Sequence, residues 1–206
     1  MIQERSFERN KPSKRKLPTI FIATEGQTEE SYFNEARKKY RGITVRIKCH
    51  KHKTAPDQIM KLAASESKNY DFLFAVFDCD NHETYKKARD FCTHHPKVIV
   101  IRSTPCFELW LLLHFTKITY NQNINNDKVI ELLKYPNRLP DYDKSNKRVS
   151  KVFEKTKEHL NTAIKHAKYL NQNEHNSDLP YTNVHNLFNH FESIKNEKDK
   201  WLNKNT

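Results

Sequence analysis

The sequence predicts an α/β fold: a mainly parallel sheet flanked by helices, with a mostly helical C-terminal extension. Three observations carry that prediction. Between residues 19 and 101, short β-branched and aromatic runs alternate with segments whose apolar residues recur every three or four positions, in the order β-α-β-α-β-α-β. One of those runs, FLFAVF at 72–77, shows no polar alternation, as expected of a strand covered on both faces. Beyond residue 147 the strand-like runs give way to helical periodicity.

Each element follows from its own residues. Residues 1–18 carry Arg5, Arg9, Lys11, Lys14, Arg15 and Lys16 with two prolines and no periodicity, and read as a flexible basic arm. TIFIA at 19–23 is a strand stopped by Glu25-Gly26, and from Thr28 the positions Tyr32, Phe33, Ala36 and Tyr40 fall at helical spacing. ITVRIK at 43–48 alternates apolar and basic residues, the pattern of a strand near a sheet edge. Pro56 suits the first turn of a helix to about Asn69. After the FLFAVF strand a helix runs to about His95, Pro96 closes it, and VIVI at 98–101 is the fourth strand.

STPCFELWLLLHF at 103–115 is the most apolar segment, and Pro105 is placed to open a helix there. The chain from Thr119 to Ser150 is polar and Asn-rich around one helical piece, NNDKVIELLKY. Residues 147–171 predict one long amphipathic helix with Val149, Val152, Phe153, Thr156, Leu160, Ala163, Ile164, Ala167 and Leu170 on its stripe. Lys147, Lys151, Lys155 and Lys157 lie off that stripe, as a solvated face or a row that tracks phosphates. An Asn-rich turn at 171–180 precedes a last helix marked by Val184, Leu187, Phe188, Phe191 and Ile194. The organisation expected is an arm at 1–18, an α/β core at 19–118 and a mostly helical extension at 119–206.

Composition narrows the function classes. A chain of 206 residues suits one well-buried domain with an appendage. With 36% hydrophobic residues, 30% charged residues and a net charge of +12, a modest core carries a basic surface suited to a polyanion such as nucleic acid, DNA or RNA. No apolar stretch reaches the roughly 18 residues of a membrane span, and the charged N-terminus is no signal peptide, so the expected location is cytoplasmic. Cys49, Cys79, Cys92 and Cys106 show no paired spacing and read as reduced thiols; Cys49, with His50 and His52, more naturally ends a strand than binds zinc. Two glycines leave no phosphate-cradling loop, and there is no GxSxG, which argues against ATP hydrolysis and a serine nucleophile.

The chemistry-bearing residues are acidic. Asp78 and Asp80 end the third strand one residue apart, so both point the same way at a sheet edge, as oxygen ligands for a hard cation do. The alternative is a helix start, with Asp80 and Glu83 as a capping box. Glu25 follows strand one and Glu29 lies four residues on. Both therefore fall near the carboxyl edge of a parallel sheet, where ligands bind. Glu108 is the one charge in its apolar helix, so it either turns to a polar site or sits exposed in a first turn.

A Glu at one strand end and a DxD at a later one resemble the Toprim pattern of topoisomerases, primases and several nucleases. The strings TEGQTEESYF (24–33), VFDCDNH (76–82), STPCFELWLLLHF (103–115) and LPYTNVHNLF (179–188) resemble successive blocks of the RloB family, Toprim-like proteins associated with abortive phage infection. Two positions depart from it: Glu30 stands where Pro is frequent, and Thr104 where Asn is frequent. Neither departure removes a carboxylate.

The resemblance implies a Toprim-like sheet and Glu25, Asp78 and Asp80 as ligands of Mg2+ or Mn2+. Likeness to Toprim nucleases of the overcoming-lysogenisation-defect class adds Glu29, and Glu108 joins the set as a further member. Phosphodiester cleavage at such a cluster also calls for a cation at the leaving group, and Lys144 or Lys147 in YDKSNKRV would supply it. The expected function is a metal-dependent nuclease acting on DNA or RNA, tRNA included, in anti-phage defence with a partner ATPase. The alternative is a non-catalytic nucleic-acid-binding or assembly module of a defence complex. Nothing in the sequence bars a homo-oligomer.

Overall fold

The computed structural model describes residues 18–40, 43–49, 55–79, 82–143, 151–173 and 179–205. Residues 1–17 of the basic arm, His50, His52, Asp80, Lys144 and Lys147 lie outside them.

The order is β1 (Thr19–Thr24), α1 (Gln27–Ala36), β2 (Thr44–Cys49), α2 (Pro56–Ser65), β3 (Phe72–Asp78), α3 (His82–His94), β4 (Val98–Thr104) and α4 (Glu108–Leu112). Then come α5 (Asn126–Leu133), α6 (Val152–Thr156), α7 (Leu160–Leu170), β5 (Tyr181–Thr182) and α8 (Val184–Asn205). The strands form one sheet in the order β2-β1-β3-β4-β5; the first four are parallel and β5 runs antiparallel to β4. This is the predicted α/β class, with β2 at an edge and β3 in the middle.

Strand alternation sorts the core into two layers. Phe21, Ala23, Leu73, Ala75 and Phe77 pack on one face with Ile59, Met60 and Ala63 of α2 and Ala88 of α3. Ile20, Ile22, Phe74, Val76 and Ile101 pack on the other, under residues of α1 and α4 to α8. A strand apolar on both sides needs both covers, which is why β3 lacks a polar face. Because side chains alternate, Asp78 shares the face of Phe74 and Val76, the side on which α1 and α4 lie.

Local pattern and structure part in several places. β4 continues to Thr104 because β5 pairs with Ser103 and Thr104, and because Asn183 accepts from the Arg102 N–H at 2.7 Å and donates to the Val100 carbonyl at 3.0 Å. The two-residue β5 was not predicted; its partner strand lies some 80 residues earlier in the chain. α2 stops at Ser65, short of Asn69, since Glu66 and Ser67 close tight turns onto the Ala63 and Ala64 carbonyls.

The helix expected from Pro105 begins instead at Glu108. Its entry is wound tightly, with Leu109 and Trp110 bonded back three residues to Cys106 and Phe107. Residues 147–150 of the helix expected over 147–171 lie outside the described residues, and the rest is two helices, α6 and α7, joined by a 3-10 turn at Lys157–His159. At the break, the Thr156 hydroxyl donates to the Val152 and Phe153 carbonyls at 2.9 and 3.3 Å, a back-bond that bends helices. No helix among the described residues is long and apolar enough to cross a membrane.

Candidate active site at the carboxyl edge of the sheet

β1 and β3 are adjacent and parallel, so their carboxyl ends deliver Glu25 and Asp78 to the same edge. The Glu25 N–H continues the ladder to the Val76 carbonyl at 3.1 Å, and the Glu25 Oε2 accepts the Asp78 N–H at 3.1 Å. Asp78 Oδ1 accepts the Phe107 N–H at 2.8 Å. One carboxylate thus anchors the next strand, and that strand's carboxylate anchors the entry to α4. Both side chains are only half-buried.

Behind them lie two buried carboxylates. Glu108 follows Phe107 and is 0% exposed, so the exposed first-turn alternative is overturned. Its Oε1 accepts a 2.6 Å hydrogen bond from the Tyr142 hydroxyl. Glu29 is buried in the first turn of α1. Burial and the charges of Glu108 and Glu29 both push the Tyr142 phenol far above its ordinary value, so it remains a donor at any ordinary pH. Tyr142, bonded to Glu108 and close enough to feel Glu29, thus places both carboxylates in one neighbourhood.

Gly26 explains how Glu29 fits. A Cβ there would meet Glu29 Oε2 and lie 3.2 Å from its Cδ, so the missing side chain is the cradle into which that carboxylate folds. The backbone at Gly26 is ordinary extended chain, φ −117°, so space rather than conformation calls for glycine. On the far side, Cys49 at the end of β2 donates its N–H to Glu30 at 3.3 Å. Burial, then the nearby Glu30, Glu29 and Glu25, raise its thiol pKa and keep it protonated.

Four predicted site residues, Glu25, Glu29, Asp78 and Glu108, are therefore brought together from β1, α1, β3 and α4. Asp80 and Lys144 fall outside the described residues. Among the described residues no group of three or more His, Cys, Asp or Glu side chains forms a ready-made metal site. The donor set nonetheless fits a hard divalent cation: it is all oxygen, sits at a strand-end crevice, and includes a carboxylate seated in a cradle made by Gly26.

Tyr142 and the Phe107 N–H are the contributors that sequence reasoning missed. Tyr142 stands at the head of the YDKSNKRV string, beside the lysines that the sequence offers for the leaving group, and no periodicity or motif marks it. Tyr142→Phe should destabilise the fold by about 1 kcal/mol or more, since it removes a 2.6 Å hydrogen bond to a buried carboxyl oxygen. Urea unfolding of the two proteins at neutral pH measures the difference, and equal midpoints would show the bond to be idle.

A model of the RloB-like protein family matches residues 20–191, from β1 into α8. No curated protein and no solved structure matches the chain. The match takes in every carboxylate of the site and both layers of the sheet, and the chain belongs to the RloB-like family.

Proposed function

We propose that the protein is a Mg2+- or Mn2+-dependent nuclease of the Toprim type, acting in anti-phage defence with a partner ATPase. One observation carries the reading: Glu25 and Asp78 meet at the carboxyl edge of the sheet, with Glu29 and Glu108 drawn in behind them. A bound divalent cation would there make a water nucleophilic and offset charge on the departing oxygen. Glu25, Glu29 and Asp78, with Asp80, are the residues to hold it. The chain's own part is orientation: the Asp78 N–H holds Glu25, the Phe107 N–H holds Asp78, and Tyr142 holds Glu108.

The net charge of +12 draws phosphate toward an otherwise acidic pocket. The family resemblance supports the defence role and the ATPase. The second reading, a non-catalytic binding or assembly module, draws on the burial of Glu29 and Glu108, for the latter of which the hydrogen bond from Tyr142 is a structural explanation.

Purified protein incubated with plasmid, single-stranded DNA and total tRNA, with Mn2+ and with chelator, separates the two. Metal-dependent cleavage of any of the three is the expected result, and its absence on all three leaves the binding module. Gly26→Ala gives a finer test. The fold should persist while Mn2+ binding weakens on the order of tenfold, because the new methyl displaces the Glu29 carboxylate. Calorimetric titration reads the affinity, and unchanged binding would remove Glu29 from the ligand set.

A further inference from the structure

Away from the carboxylates, the chain between α4 and α5 folds back over α5 and leaves a cavity of about 410 Å3. That is the size of a small-ligand pocket, for which roughly 300 to 1,000 Å3 is usual. Its wall mixes three cations, Lys117, Lys128 and Arg138, with the amides of Gln122 and Asn123 and the apolar floor of Ile118. The exposed large hydrophobic side chains of the described surface are Tyr120 and Tyr135, 40% and 41% exposed, and both come from the segments that border this cavity.

The cations are held in place. Arg138 donates to the Leu132 carbonyl at 2.7 Å and lies 4.9 Å over the Tyr135 ring, and Lys117 sits 3.3 Å over the Tyr169 ring. Lys128 pairs with Glu131 at 2.8 Å, a solvent-exposed pair that a phosphate can displace.

We propose that this cavity binds one nucleotide unit of a single-stranded nucleic acid: phosphate on the Lys117, Lys128 and Arg138 side, the base edge on Gln122 and Asn123, and an exposed tyrosine as a stacking platform. Positive charge combined with amides and, beside them, the exposed ring of Tyr120 is the chemistry of unstacked bases, which a duplex keeps hidden. A flat basic surface would serve a duplex better; this one is concave.

The placement relative to the carboxylates supports the same occupant. Thr116 lines the cavity eight residues beyond Glu108, and the chain between them is α4 and the tight turns that follow it. On the return path Arg138 faces the cavity, and Tyr142, four residues later, reaches Glu108. The chain from Arg138 to Tyr142 thus runs directly from the cavity wall to a residue of the carboxylate cluster. The inference rests on the nucleic-acid partner of the proposed function but not on its cleavage chemistry.

The test is binding without turnover. Fluorescence anisotropy with a labelled single-stranded RNA, the same sequence as single-stranded DNA, and its duplex is measured in chelator at about 50 and about 200 mM salt. Single strands should bind at least several-fold tighter than the duplex. Tyr120→Ala should weaken binding roughly fivefold or more, and a Lys117→Glu, Lys128→Glu double variant should weaken it at least tenfold with a shallower salt dependence. Circular dichroism confirms that each variant is folded, and these exposed side chains can be changed without opening the core.

Binding of both variants within twofold of wild type overturns the proposal, as does preference for the duplex. Absence of any strand binding overturns it too, and binding of a labelled nucleoside monophosphate in that case marks a small-molecule pocket. Failure of the nuclease reading is seen separately. If the wild type cuts nothing in Mn2+ while the variants still lose single-strand binding, the cavity stands and the cleavage chemistry falls.

Discussion

Asp78→Asn is expected to abolish metal-dependent cleavage, by at least roughly a hundredfold, and with it protection against phage, while the folded state survives. The substitution is nearly isosteric, and the amide oxygen can still accept the Phe107 N–H that Asp78 Oδ1 accepts at 2.8 Å. The bond that seats the entry to α4 therefore remains. What disappears is the negative charge by which the side chain would hold a cation. Removing a charge near Glu25, Glu29 and Glu108 also relieves repulsion among carboxylates, so thermal stability should hold or rise slightly. Attraction of a basic chain to phosphate should not fall either.

Glu25→Gln should behave alike, although its amide must still receive the Asp78 N–H. Plaque assays at matched expression, cleavage assays and melting curves read the three consequences. Should both variants protect cells as well as wild type does, the chemistry lies elsewhere and the basic surfaces become the place to look.

Acidification is expected to remove about 3 kcal/mol of stability through a single buried ring, His114. Its Nδ1 lies 3.0 Å from the Trp110 carbonyl and so carries the proton, leaving Nε2 to face the Tyr32 hydroxyl at 3.4 Å. That hydroxyl also receives the Trp110 indole N–H at 2.9 Å. The ring is therefore built in as a neutral group, and burial lowers its pKa to about 4. In the unfolded chain His titrates near 6.5, so as pH falls the unfolded state takes up the proton first. Stability from this group is complete above about pH 6.5 and is lost progressively down to about pH 4.

Other groups add to the same profile. His190, lowered by burial, pushes in the same direction. Glu35, raised chiefly by burial, pushes the other way. Urea unfolding at about pH 7 and about pH 4.5 should show the loss in wild type and a much flatter response in His114→Gln. A wild-type midpoint that does not move with pH would sink the prediction, whatever the variant's own stability.

Much of the architecture follows from short-range pattern. The FLFAVF run had to be a strand covered twice, and it is the central strand between β1 and β4. Period-two alternation in β2 placed it at the edge. Glu25 and the DxD were assigned to one sheet edge because parallel strands all end on the same side, and Glu25 and Asp78 do meet there. Glu108 was legible for a related reason: one charge in a helix apolar on nearly every side must find a polar partner.

Other features were decided by partners far away along the chain. Tyr142 reaches Glu108 across 34 residues, and β5 exists because Tyr181 and Thr182 lie against β4, so neither leaves a periodicity in its own neighbourhood. The break between α6 and α7 runs against an unbroken apolar stripe. It comes from where Thr156 sends its hydroxyl, a choice that hydrophobic pattern does not register. Gly26 reads from the sequence as part of a strand stop, yet its backbone is ordinary extended chain; what makes glycine necessary is the Glu29 carboxylate folded over it. Hydrophobic periodicity is a property of neighbours in sequence and is readable one segment at a time. Which donor meets a buried carboxylate, and which side chain occupies the space above a glycine, depends on segments that become neighbours only once the sheet and its two helical layers have closed.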